Sequence, residues 1–160
     1  FLVFILAPVI VSIIDIDLSY KIIPDSLNLS IFLTGVAVLC INAMMADSPL
    51  NFLLEKGGIA VGGAAAYGLG SLLLRQGMMY FLKREAMGLG DIKFFAAAGF
   101  WMGLDANAAA LFLFVSGLSG IVLALMWKKR KGEAEFPFGP SLMAAFVVNL
   151  CLYPPAFIGG

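Results

Sequence analysis

Six apolar stretches separated by short polar connections take up most of this chain. They cover residues 1 to about 16, about 27 to 45, 57 to 82, 91 to 103, 106 to 127 and 137 to 158. A helix needs about 20 predominantly apolar residues to cross a bilayer. No stretch alternates polar and apolar over about ten residues, so membrane β-strands are not expected. A soluble domain is no alternative. Of the 160 residues, 62% are hydrophobic and 12% charged, the mean hydropathy is +1.02, and a core this small cannot hide so much apolar surface. The pattern predicts an all-α polytopic membrane protein with about six transmembrane helices. It is expected to form a single domain over residues 1–160, with the lipid bilayer as its surroundings. Residues 94–127 look continuous, but Gly103-Leu104-Asp105-Ala106-Asn107 predicts a turn within them. The chain begins at Phe1 inside an apolar run, with no basic signal-like segment before it. A leading segment has been removed or the sequence starts inside the protein.

The charges orient the segments. Lys21, Arg75, Lys83, Arg84, Lys93, Lys128, Lys129, Arg130 and Lys131 belong to one side, and only Lys56 lies on the other, beside Asp47, Glu55 and Asp105. The positive-inside rule puts the basic side in the cytoplasm and both chain ends outside. The net charge is zero, so nucleic acid is not an expected partner.

The chain has no histidine. That excludes Ser-His and Cys-His nucleophilic pairs and histidine metal sites. Cys40 and Cys151 sit alone in apolar runs and are expected to be packing residues, so neither a metal nor a cofactor is called for. Gly57, Gly58, Gly62, Gly63, Gly68 and Gly70 cluster in the third segment. They predict close helix packing, and a groove facing a substrate is open beside it.

Acid–base chemistry is left to carboxylates, and an ionisable residue at membrane depth is a functional candidate. Asp91, in Gly88-Leu89-Gly90-Asp91-Ile92-Lys93, opens a segment too short to span the hydrocarbon. The glycines allow a bend or a close backbone approach there. An Asp at this place is also a common helix cap, so both roles are open. Asp15 and Asp17 close the first segment on the same side as Asp91. Two carboxyls converging from different helices can share one proton. One then activates water while the other polarises a peptide carbonyl, an aspartic-protease scheme that needs none of the missing residue types. Pro24 ends what precedes it, and Asp25 or Ser26 is expected to cap the second helix.

Ile16-Asp17 followed by Ile23-Pro24-Asp25 resembles the first-aspartate motif of the type IV prepilin peptidases. Gly88-Leu89-Gly90-Asp91-Ile92-Lys93 is similar to their G-x-G-D-x-K element, and Pro137-Phe138-Gly139-Pro140-Ser141-Leu142 resembles their P-F-G-P stretch. The three occur in family order and the resemblance spans nearly the whole chain. It implies a single transmembrane peptidase domain, a prepilin leader peptidase. Such an enzyme is an intramembrane aspartic endopeptidase of the bacterial inner (cytoplasmic) membrane, with its active site facing the cytoplasm. Its implied substrates are type IV prepilin or pseudopilin precursors, whose basic leader it removes at a glycine before their apolar helix. Carried over by position, Asp17 and Asp91 are the implied catalytic pair. Gly88, Gly90, Lys93, Pro24 and Asp25 are the implied supporting residues, and Asp15 lies two residues before the family's position. Lys93 is expected to snorkel to the surface, with holding a carboxylate as the other option.

Many members of that family also carry two C-x-x-C pairs associated with N-methylation. This chain has none, so no methyltransferase activity is assigned to these residues. Presenilin-like proteases share G-x-G-D but resemble this chain less, since they have P-A-L where P-F-G-P stands here. From another class, a proton- or ion-coupled transporter subunit would use buried Asp17 and Asp91 as carriers. The internal repeat frequent in transporters is not found. A structural subunit with both aspartates as caps is the third reading.

Overall fold

The structure, a computed structural model, describes residues 2–83, 87–131 and 136–158. Phe1, which opens the first predicted segment, and Arg84 of the basic set lie outside the described residues. The described residues form six helices: α1 Leu2–Tyr20, α2 Asp25–Met45, α3 Pro49–Leu82, α4 Leu89–Met102, α5 Ala106–Lys131 and α6 Gly139–Leu152.

Each expected segment is a helix, but several ends differ because hydropathy fades at polar residues and a helix need not. α1 continues through Asp15 and Asp17 to Tyr20, where Lys21 takes a left-handed φ of 56°. α3 starts at Pro49 rather than Gly57. Proline suits a first helical turn, and Glu55 and Lys56 are good helix formers. α5 runs past Trp127 to Lys131. α6 stops at Leu152 instead of Ile158, because Tyr153-Pro154-Pro155 cannot extend it. The turn inside 94–127 forms at Gly103, whose φ of 66° favours glycine.

Four helices, α1, α2, α3 and α5, are long and apolar enough to cross a membrane. α4 and α6 have 14 residues each. At about 1.5 Å per residue they reach roughly 21 Å, short of a hydrocarbon core of about 30 Å. α4 is buried almost all round from Ile92 to Met102. It packs against α2, α3 and α6, while α6 also packs on α1 and α5. The outer helices turn one stripe inward: Leu6, Ile10, Ile13 and Asp17 on α1, and Asn28, Ile31, Gly35, Leu39 and Ala43 on α2. Trp101 locks α4 to α2 by donating from Nε1 to the Ile31 carbonyl at 3.1 Å. Asn149 locks α6 to α5 through Nδ2 and the Ala108 carbonyl at 2.7 Å.

The glycines of the third segment divide between two surroundings. Gly63 abuts the backbone of Gly99 and Gly103, and a Cβ added at Gly68 would meet Ala96 at 3.2 Å, so α3 and α4 touch nearly backbone to backbone. Gly58 and Gly70 face open space. Cys40 and Cys151 lie on apolar helices, away from the buried core. Both are free thiols on outward faces of α2 and α6.

Candidate active site

Asp17 continues the buried stripe of α1 four residues beyond Ile13, and only 3% of it is exposed. Asp15 stands on another face of the same helix and is exposed. The buried carboxylate ends at the start of α6, where the Gly139 N–H donates to Asp17 Oδ2 at 2.7 Å. The first N–H groups of a helix have no partner within it. Pro140 supplies none and Ser141 turns its N–H to the Phe138 carbonyl. Gly139 therefore offers a lone amide, aided by the positive end of the helix dipole. A Cβ at Gly139 would lie 2.8 Å from Asp17 Oδ2, so the approach requires glycine.

Asp91 is half-buried in the first turn of α4, which starts at Leu89 with Gly88 as N-cap. The Gly88 N–H donates to Asp91 Oδ2 at 3.1 Å. Asp91 thus does act as a cap, and it also lies within electrostatic reach of Asp17. Neither motif glycine has positive φ; among the described glycines only Gly103 does. Gly90 serves close approach, because a Cβ there would sit 2.7 Å from the Ile23 carbonyl oxygen. Gly88 is not compelled by space, its nearest contact being 3.4 Å.

Pro24 is the N-cap of α2, and neither Asp25 nor Ser26 caps that helix as expected. The Asp25 carboxylate instead accepts from Lys93 Nζ at 2.6 Å, with both side chains more than half exposed. Lys93 therefore holds a carboxylate as well as reaching outward. Beside this pair opens a cleft of about 410 Å³ between α2, α3 and α4, with Leu29, Phe32, Ala64 and Ala96 in its apolar wall.

Two helices beside the site run past it. Gly63 and Gly68 of α3 face Gly99 and Ala96 of α4 in antiparallel register. Continuing that register, α3 runs on to Leu82 for about 12 Å beyond the start of α4. Gly120 of α5 lies against Phe138 and Ser141 at the start of α6, so α5 runs on to Lys131 for about 16 Å beyond that start. Asp91 in the first turn of α4 and Asp17 against the start of α6 therefore lie level with the beginnings of the two short helices, and α3 and α5 run on past that level.

The structure brings together all three sequence elements. Asp17, Pro24, Asp25, Gly88, Gly90, Asp91 and Lys93 occupy one end of the bundle, joined there by Gly139. Sequence reasoning had not singled out Asn28, whose Nδ2 donates to the Gly90 carbonyl at 2.9 Å, nor Gly139 as the partner of Asp17. The available signal was the i, i+3, i+7 spacing that sets Asn28 in line with Ile31 and Gly35.

The chain is 33% identical over 138 residues to the type 4 prepilin-like proteins leader peptide-processing enzyme of Escherichia coli O78:H11, covering 86% of this chain and 46% of that protein. It is 34% identical to the prepilin leader peptidase/N-methyltransferase of Pectobacterium carotovorum, covering 86% and 46%. For the protein of the same name from Neisseria gonorrhoeae the identity is 35%, covering 86% and 44%. The chain spans less than half the length of these relatives. No solved structure matches it significantly. A model of the type IV leader peptidase family matches residues 2–125. With its several apolar helices, the chain is a multi-pass protein of the inner membrane and belongs to the type IV leader peptidase family.

Proposed function

We propose that this domain, residues 1–160, is an aspartic endopeptidase that removes the leader of prepilin-type precursors, with Asp17 and Asp91 as its catalytic pair. One observation carries the assignment: two carboxylates from helices far apart in sequence, each held by a helix-terminal N–H, lie at the same end of the bundle within electrostatic reach of each other. The pair shares one proton. The ionised carboxyl takes a proton from water, whose oxygen adds to the peptide carbonyl carbon. The protonated carboxyl polarises the carbonyl oxygen, and the tetrahedral intermediate then expels the amine as it gains a proton. The relatives named as prepilin leader peptidases supply the substrate class. Nine of ten Lys/Arg lie on the aspartate side, which supports an active site facing the cytoplasm. Pro24, Asp25, Gly88, Gly90 and Lys93 support the pair by fixing the start of α4 against the start of α2.

The test is cleavage of a prepilin-type precursor by the protein reconstituted in lipid. Asp17→Asn and Asp91→Asn, each alone, abolish cleavage while the protein still inserts. Asp15→Asn keeps substantial activity. Full cleavage by either of the first two variants overturns the assignment. Aspartate-dependent ion flux without proteolysis would establish the transporter reading in its place.

A further inference from the structure

Asn28 is 4% exposed, and its amide is divided between two fates. Nδ2 donates to the Gly90 carbonyl, one residue before Asp91. Oδ1 is buried and has no hydrogen-bond partner among the described residues. A buried acceptor without a partner is a cost to folding, and an aliphatic side chain of similar size would avoid it. The Gly90 carbonyl gains little stability from the contact. It lies in the first turn of α4, where the helix supplies its own N–H four residues on. Asn28 is therefore poorly explained as a stabilising residue. What it does fix is direction. With the Ile23 carbonyl packed on Gly90, it holds the turn that carries Asp91 against α2 from a second side. The loop before α2 joins directly to the end of α1, which carries Asp17.

We infer that Asn28 is a positioning residue for the aspartate pair, holding the first turn of α4 through the Gly90 carbonyl so that Asp91 stays aligned with Asp17. This rests on the peptidase reading above. Asn28 touches neither carboxylate and takes no proton in the reaction. Its contribution is geometric, and it is felt in the chemical step rather than in precursor binding.

The experiment compares wild type with Asn28→Leu and Asn28→Asp, each reconstituted in lipid, by kcat and KM for precursor cleavage and by thermal midpoint. Asn28→Leu removes the donor and the orphaned acceptor together. Its midpoint stays at or above that of wild type. Its kcat falls by about 10- to 100-fold, since a displacement near 1 Å at a reacting group costs about that much, and KM stays within about threefold. Asn28→Asp keeps the outline of the side chain, loses the amide donor at neutral pH, and shows the same loss of kcat. Where Asn28→Leu does not accumulate, Asn28→Asp carries the comparison. A wild-type kcat in either variant, or a loss confined to KM, overturns the positioning role. So does a kcat that falls only in step with a lowered midpoint. A wild type that does not cleave overturns the peptidase reading itself, an outcome distinct from active wild type beside an equally active Asn28 variant.

Discussion

Gly139→Ala tests the contact on which the placement of Asp17 depends. The added methyl would lie 2.8 Å from Oδ2, 2.9 Å from Cγ and 3.0 Å from Cβ of Asp17. Ordinary carbon contacts need about 3.5–4.0 Å, so the carboxylate must retreat by roughly 0.5–1 Å. That retreat stretches or breaks the 2.7 Å bond from the Gly139 N–H. A hydrogen bond to a charged group is worth about 1.5–3 kcal/mol. At about 1.4 kcal/mol per tenfold, its loss slows the reaction by roughly 10- to 150-fold, and the displacement itself accounts for about 10²-fold. The two descriptions overlap, so the expected fall in kcat is about 10²-fold. Alanine is a good helix former, and Gly139 has no positive φ to lose, so α6 still forms. The assay is single-turnover cleavage of a precursor in proteoliposomes, with precursor and product separated on a gel. Gly70→Ala in α3, where a Cβ meets nothing within 4 Å, is the matched control and keeps the wild-type rate. Wild-type cleavage by Gly139→Ala would refute the claim that the start of α6 places Asp17.

Two further substitutions separate packing from chemistry. Gly63→Ala sets a methyl against the Gly99 carbonyl and 2.6 Å from Gly103 Cα. It should cost about 1–3 kcal/mol by overpacking, read as a lowered thermal midpoint, while Gly58→Ala, facing open space, leaves the midpoint unchanged or slightly higher. Lys93→Met and Asp25→Asn each break an exposed ion pair. Each should cost less than about 1 kcal/mol and leave cleavage within about threefold. A large loss from Lys93→Met without one from Asp25→Asn would give Lys93 a role beyond this pair.

Hydropathy made the helices legible, because lipid leaves few alternatives for a run such as 106–127. It misplaced their ends wherever polar residues continue a helix, as at Asp17, Glu55 and Lys128. That mattered most for α1, whose apolar run stops at Ile16 while Asp17 is the last buried residue of an inward stripe. The aspartates were legible as costly residues, and G-x-G-D and P-F-G-P as recurring patterns. The meeting of Gly139 with Asp17 was not, since it joins residues 122 apart through one backbone amide. Asn28 was hidden for a similar reason. A single amide at a helix start reads as a polar boundary residue, and only the tertiary contact with Gly90 reveals what its donor meets.

The short lengths of α4 and α6 set a ruler for whatever reaches the carboxylates. A peptide that comes in along α3 or α5 from their ends covers about 12–16 Å before it is level with the carboxylates. In extended form, at roughly 3.3 Å per residue, that takes about four or five residues. A group held at the end of α3 or α5 and a bond cut between the carboxylates are then spaced by at least that much chain. A substrate arriving as an intact helix, which advances only about 1.5 Å per residue, must unwind locally before its backbone can lie open to the pair.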